Sequence, residues 1–172
     1  FLQYTSPVTV IENDADTPMP VEPDGGIGDG AESLDELLAN APVETIGQSI
    51  NGNNIDVHRF GNGESDILLV GGVHGGYSWN TSQLAYELIE YYQDNENSLP
   101  AGVTLHIVPA LNPDGLVETL DTYDNISVAD ARQASEAERV AGRFNANTVD
   151  LNRNFDCNWE TTGTWRNQTV SG

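Results

Sequence analysis

The spacing of apolar positions changes along this chain, and each change marks an element. From Asp66 to Val70 the run Ile67, Leu68, Leu69 and Val70 is continuously apolar, the pattern of a strand buried on both faces. Upstream, Glu44 to Ile50 and Ile55 to Phe60 flank Asn51-Gly52-Asn53-Asn54. The Asn-Gly step supplies the positive φ of a tight turn, so a β-hairpin is predicted. From about Thr81 to Gln93 the period lengthens. Leu84, Leu88 and Tyr91/Tyr92 recur at helical spacing there, and Ala85 and Ile89 widen the stripe. Val103 to Val108 is a second short buried strand, ended by Pro109. Strand, helix, strand in this order is a βαβ unit. It predicts an α/β fold with a mixed, mostly parallel sheet flanked by helices. Two further helices are expected: a short one opening at Ser33, with Glu36 completing a capping box, and one over Ala129 to Gly142.

Composition divides the chain. Residues 1–32 carry much of the Pro, Gly and Asp without any period, and read as a disordered or linker segment. The folded part is expected to be residues 33–172, enough for one domain. The chain has 27 acidic residues against six arginines and no lysine, for a net charge of −21. That balance argues against nucleic acid and anionic membrane surfaces, which need a basic face. It fits a secreted or salt-adapted protein, and a secreted or extracytoplasmic location is the expectation. No apolar run approaches membrane-spanning length. Cys157 stands alone, which excludes an internal disulfide and a cysteine-cluster zinc site. It reads either as a buried apolar Cys or as half of a pair with a Cys beyond residue 172.

In so acidic a chain the arginines deserve separate reading. Arg153 lies in Asp150-Leu151-Asn152-Arg153-Asn154-Phe155, between apolar anchors. A guanidinium fork beside the Asn152 carboxamide suits a carboxylate ligand. The alternative is a structural pairing of Arg153 with Asp150 or Asp156. Arg143 precedes it by ten residues, and two arginines near one loop point to an anion site or to two structural pairs. In open α/β sheets chemistry collects at the carboxyl ends of strands. His74 sits there, with Gly71, Gly72, Gly75 and Gly76 around it. It suits a metal ligand or oxyanion group, or else a satisfied histidine in a tight turn. Asn112-Pro113-Asp114-Gly115 reads as a turn closing the neighbouring strand.

Taken in order, these pieces resemble the zinc carboxypeptidase family. They are Leu69 to Tyr77, Val108 to Gly115, Arg143 to Asn147, Val149 to Asp156, and Trp165-Arg166 with Val170 to Gly172. The resemblance covers residues 43–172, and looks like the N-terminal part of the family's domain. It implies that His74 is the first zinc ligand and that Asn152 and Arg153 bind the terminal carboxylate of a peptide substrate. Arg143 would polarise the scissile carbonyl. The implied reaction is hydrolysis of C-terminal peptide bonds through a zinc-activated water.

The chain departs from the family pattern at one position in particular. The resemblance places a glutamate ligand shortly after the histidine, where this chain has Ser78. The second zinc histidine, a substrate tyrosine and the catalytic glutamate would lie beyond Gly172. His58 and His106, inside predicted strands, match none of these positions and read as structural. The chain is therefore expected to be incomplete and inactive alone. A competing reading is a non-catalytic peptide- or glycan-binding relative that kept the carboxylate clamp and lost the metal. An esterase reading of the His-Gly-Gly segment fails for want of a Gly-x-Ser-x-Gly elbow.

Overall fold

A computed structural model of the chain describes residues 43–124 and 126–172. The expected helix at Ser33 and the segment 1–32 lie outside the described residues. The predicted hairpin is present. Strands β1 (Glu44–Gln48) and β2 (Asn54–Phe60) pair antiparallel, and Gly52 takes φ +83° in the connection. Next come β3 (Ser65–Val70), helix α1 (Trp79–Asp94) and β4 (Val103–Val108). The sheet order is β1-β2-β4-β3, with β4 antiparallel to β2 and parallel to β3. The βαβ unit and the mixed α/β class are as expected, but the described sheet is not mostly parallel: β3–β4 is its one parallel pair, because the β1–β2 hairpin adds two antiparallel pairings.

Burial of β3 differs from expectation. The strand spans the predicted residues but forms the sheet edge, and Ile67, Leu68, Leu69 and Val70 are 39–62% exposed. A continuous apolar run reports that a strand expects cover on both faces. Among the described residues β3 has one strand neighbour, and its outer edge is bare. The buried strand is β4, whose Leu105 and Ile107 pack on Ala85 and Ile89 of α1. The α1 stripe is also rotated from its predicted centre. Ala85 and Ile89 form the middle of the buried face, whereas Leu84 and Tyr91 face outward.

A second core gathers Ala110, Leu116, Leu120, Ile126, Ala131 and Ala134. It involves α2 (Pro113–Leu120), α3 (Val128–Gln133) and α4 (Glu136–Ala141). Here two expectations fail. Asn112-Pro113-Asp114-Gly115 is no simple turn. It starts α2, with Asn112 accepting a hydrogen bond from the Gly115 N–H at 3.1 Å and Pro113 in the first turn. The single helix over Ala129 to Gly142 is two, because Ser135 opens a new capping box with Glu138 as Ser127 does with Asp130. Asp114 is buried and accepts from the Ser49 hydroxyl, the Asn53 amide and the Asn51 N–H, which ties the hairpin loop to α2. Backbones then come unusually close. A Cβ on Gly76 or Gly142 would collide with the Thr119 hydroxyl, so only glycine lets the turn after His74 and the end of α4 meet α2. A final hairpin, β5 (Thr162–Trp165) with β6 (Gln168–Ser171), packs alongside. Cys157 is exposed, which rules out its reading as a buried apolar Cys. No helix among the described residues is long and apolar enough to cross a membrane.

Candidate functional site

The carboxyl end of β3 is held open by main-chain bonds to the neighbouring loop. Gly71 N–H donates to Val108 O at 2.8 Å, and the Leu111 and Asn112 N–H groups donate to Gly71 O and Gly72 O, each at 3.0 Å. The chain then turns through Gly72, at φ +65°, into a single 3₁₀ turn, Gly75–Ser78, capped by His74. The His74 side chain is 19% exposed. Its Nδ1 is buried without a hydrogen bond, and Asp150 Oδ1 lies 3.5 Å away.

Asp150 is the hub of the site. It is fully buried, and its Oδ2 accepts from Arg143 Nε at 3.1 Å and Nη2 at 2.9 Å. Its Oδ1 accepts from the Asn152 N–H at 3.2 Å. The Arg143 guanidinium lies over two rings as well, 4.6 Å from the Trp165 centroid and 5.5 Å from that of Tyr77. Burial first, then the Arg143 cation, hold the His74 imidazole below its ordinary pKa of 6.5. Asp150 opposes this and Arg153 adds to it. The ring is thus a neutral lone-pair donor at neutral pH, with a carboxylate near but not bonded to it.

The two arginines divide the readings that the sequence left open. Arg143 takes the structural pairing, deep in the protein and bonded to Asp150. Arg153, in the 3₁₀ turn Leu151–Arg153, pairs with neither Asp150 nor Asp156. Its Nη2 donates to Thr164 O at 3.0 Å and its stem lies against Gly163. No carboxylate among the described residues is within ion-pair reach of it. Asn152 beside it is exposed. Arg153 therefore keeps free N–H donors at the surface, close enough to His74 to act on its pKa. Arg143, the resemblance's candidate for the scissile carbonyl, is less available, because two of its donors are spent on Asp150.

The other candidates stand apart. Ser78 is half-buried at the start of α1, and its main-chain oxygen accepts from the Thr81 hydroxyl at 2.8 Å. His58 lies in β2, its pKa lowered by burial, which the Asp56 and Asp124 carboxylates oppose. His106 lies in β4, where its Nε2 faces Asp66 Oδ1 at 2.8 Å. Among the described residues no three His, Cys, Asp or Glu side chains gather to hold a metal ion. A shallow recess between Ser49, Pro113 and Leu151 borders the clamp segment, but His74 does not line it.

Sequence reasoning passed over Asp150 as a hub, and Tyr77 and Trp165 as the walls around Arg143. The signal for Asp150 was its place between Val149 and Leu151. A carboxylate flanked by apolar residues becomes buried only with a cation at hand, and Arg143 is seven residues away.

Comparison with known proteins adds the family. The zinc carboxypeptidase family model matches residues 33–171. The chain is 32% identical to the human carboxypeptidase N catalytic chain over 126 residues, 66% of this chain and 25% of that protein. It is 30% identical to human carboxypeptidase Z over 128 residues, 67% of this chain and 18% of that one. With mouse carboxypeptidase D it shares 33% over 109 residues, 60% of this chain and 7% of the relative. The solved carboxypeptidase A from Helicoverpa armigera superposes with a TM-score of 0.54 at 24% identity, over 80% of this chain and 34% of that one, a likeness of fold. The chain thus spans a quarter or less of the length of these curated relatives.

Proposed function

The chain belongs to the zinc carboxypeptidase family, and from that premise we propose that it carries the carboxylate-recognising part of a site for cleaving C-terminal peptide bonds. Arg153 and Asn152 bind the terminal carboxylate of a peptide, with His74 near enough to feel the Arg153 charge. Arg59, Arg132 and Arg153 all lack a carboxylate partner among the described residues of a chain with net charge −21. The observation that carries this reading is that Arg153 is the one of the three near enough to His74 to lower its pKa, with the exposed Asn152 carboxamide beside it, a placement that suits an anion from outside.

Zinc is the metal that the family name implies, and the described residues fit it only in part. His74 has the character of one donor, being neutral and partly exposed with Asp150 3.5 Å from its Nδ1. A zinc site takes three or more protein donors, however, and no such group is present among the described residues. Ser78 at the expected glutamate position offers no carboxylate. What these residues do is orient and bind: Asp150 fixes Arg143, and Arg153 with Asn152 grips an anion. An extracytoplasmic site of action belongs to the same proposal, in keeping with the acidic composition.

Ser78 and the incomplete donor set support a second reading, a binding module that recognises peptide C-termini without cleaving them. Two titrations separate the readings. A short peptide with a free C-terminus is expected to bind more tightly than its amide. Arg153→Ala should erase the preference, by about 10- to 100-fold for a charge-assisted contact. Equal binding of acid and amide rejects the clamp. Calorimetry with zinc then decides on the metal. Tight binding by the parent chain excludes the metal-free module, whereas binding gained only in Ser78→Glu supports it.

A further inference from the structure

One pair of rings holds two guanidinium groups at once. Tyr77, from the turn after His74, and Trp165, the last residue of β5, meet edge to face at 5.3 Å. Arg143 occupies one position on them. Arg166 occupies the other, with its Cζ 4.9 Å from the Trp165 centroid and 5.5 Å from that of Tyr77. The two cations are held very differently. Arg143 is buried and bonded to Asp150. The Arg166 side chain is 50% exposed, and its carboxylate partner Glu136, at 3.0 Å, is 63% exposed. Its Nη2 also reaches the Tyr77 hydroxyl at 3.1 Å.

We propose that Tyr77, Trp165 and Glu136 form a binding site for an arginine side chain presented by a peptide or protein, and that Arg166 is its built-in, displaceable occupant. Two aromatic faces, a carboxylate and a phenol oxygen around one planar cation are the chemistry of guanidinium recognition. The three residues come from three separate elements, so the site exists without Arg166. Each contact Arg166 makes is of the exposed and individually weak kind. Its backbone is also unfavourable: Arg166 has φ +49° and Asn167 φ +61° in the two-residue turn between β5 and β6, where Asn and Gly are preferred. An incoming guanidinium regains the same partners while Arg166 returns to water. What keeps Arg166 in place is its tether, which gives it a high effective concentration.

Arg166→Asn tests this, because Asn suits the turn while vacating the site, and Arg166→Gly serves as a second variant with the same property. The probe is N-acetyl-arginine amide, followed through the Trp165 indole N–H in two-dimensional NMR, with Trp165→Phe giving the assignment. The amide has no free carboxylate, so the result does not depend on the Arg153 clamp. Saturable binding in the millimolar range is expected for both variants, at least tenfold weaker binding for the parent, and loss of binding when Glu136→Gln is added. The neutral isostere N-acetyl-citrulline amide is expected to leave the signal unmoved. The proposal is overturned if neither variant binds the arginine probe, if citrulline binds equally, or if the parent binds as tightly as the variants.

Discussion

Removing the Arg143 side chain is the sharpest test of how the site is built. Arg143→Met keeps an apolar stem against Trp165 but deletes the cation that faces Asp150. Asp150 is then a fully buried carboxylate with only the Asn152 N–H bonded to it. Breaking one side of a buried, hydrogen-bonded pair costs about 3–5 kcal/mol. Loss of the contact with the two rings adds about 0.5–2 kcal/mol. Against a typical total of about 5–15 kcal/mol, that is a large share of the margin. At roughly 2–4 °C per kcal/mol for a chain of this length, the melting temperature should fall by about 7–28 °C. The double variant Arg143→Met/Asp150→Leu removes both charges, and apolar replacement of a buried pair is often close to neutral. It should recover most of the loss, short of about 1 kcal/mol for the orphaned Asn152 N–H. Urea unfolding followed by circular dichroism measures both. The reasoning is refuted if the single variant lies within about 1 kcal/mol of the parent, or if the double variant is no more stable than the single.

Three further outcomes are expected. Because His58 and His74 are both held below 6.5, mainly by burial, the unfolded chain takes up protons first on acidification. Stability should be flat in their titration above the unfolded value and fall as pH drops through 6.5 toward the folded values, and His58→Leu should flatten that fall; a parent slope unchanged by the substitution counts against it. With 27 acids and six arginines, self-repulsion opposes folding, so raising KCl from about 0.1 M, where the Debye length is about 10 Å, toward 1 M should raise the melting temperature. A melting temperature that is unmoved or falls with salt removes that argument. Leu68→Glu on the exposed edge of β3 should cost little stability, since Leu68 is 62% exposed, while lowering self-association in light scattering. Unchanged association means that this edge is not the sticky surface.

How much of this was legible in the sequence depends on whether a feature is set locally or by long-range contact. The β1–β2 hairpin was readable because Asn51-Gly52 carries its own turn chemistry. The βαβ unit was readable because its periods switch cleanly. The break between α3 and α4 was written locally too, in Ser135 and Glu138, but the Ala- and Glu-rich composition masked it. The exposure of β3 was not readable, because the apolar run from Ile67 to Val70 records the cover a strand requires and not the cover supplied by the described residues. Tyr77, Glu136 and Trp165 converge only through the fold, and no local pattern announces them.

The two arginines show the same division within the site. Both lie close to Asn residues in a strongly acidic chain, and local sequence does not tell them apart. What separates them is which one can reach a carboxylate in a dry place. Asp150 is drawn inside by Val149 and Leu151, and its main-chain N–H is tied to Ser171 at 3.0 Å. A carboxylate so placed requires the nearest cation that can also be desolvated, because an unpaired buried charge is far costlier than a lost surface pair. Arg143 meets that demand, as Tyr77 and Trp165 cover it with rings. Arg153 is thereby released from Asp150 and remains at the surface beside Asn152. The availability of the clamp is thus a consequence of the buried pair, so Arg143→Met should disturb more than stability. With Asp150 unpaired and only a short turn separating it from Arg153, the Arg153 side chain is drawn inward and the preference for a free peptide C-terminus should weaken even though Arg153 itself is intact. Peptide binding to a folded fraction of Arg143→Met that keeps the parent's acid-over-amide preference rules out this coupling.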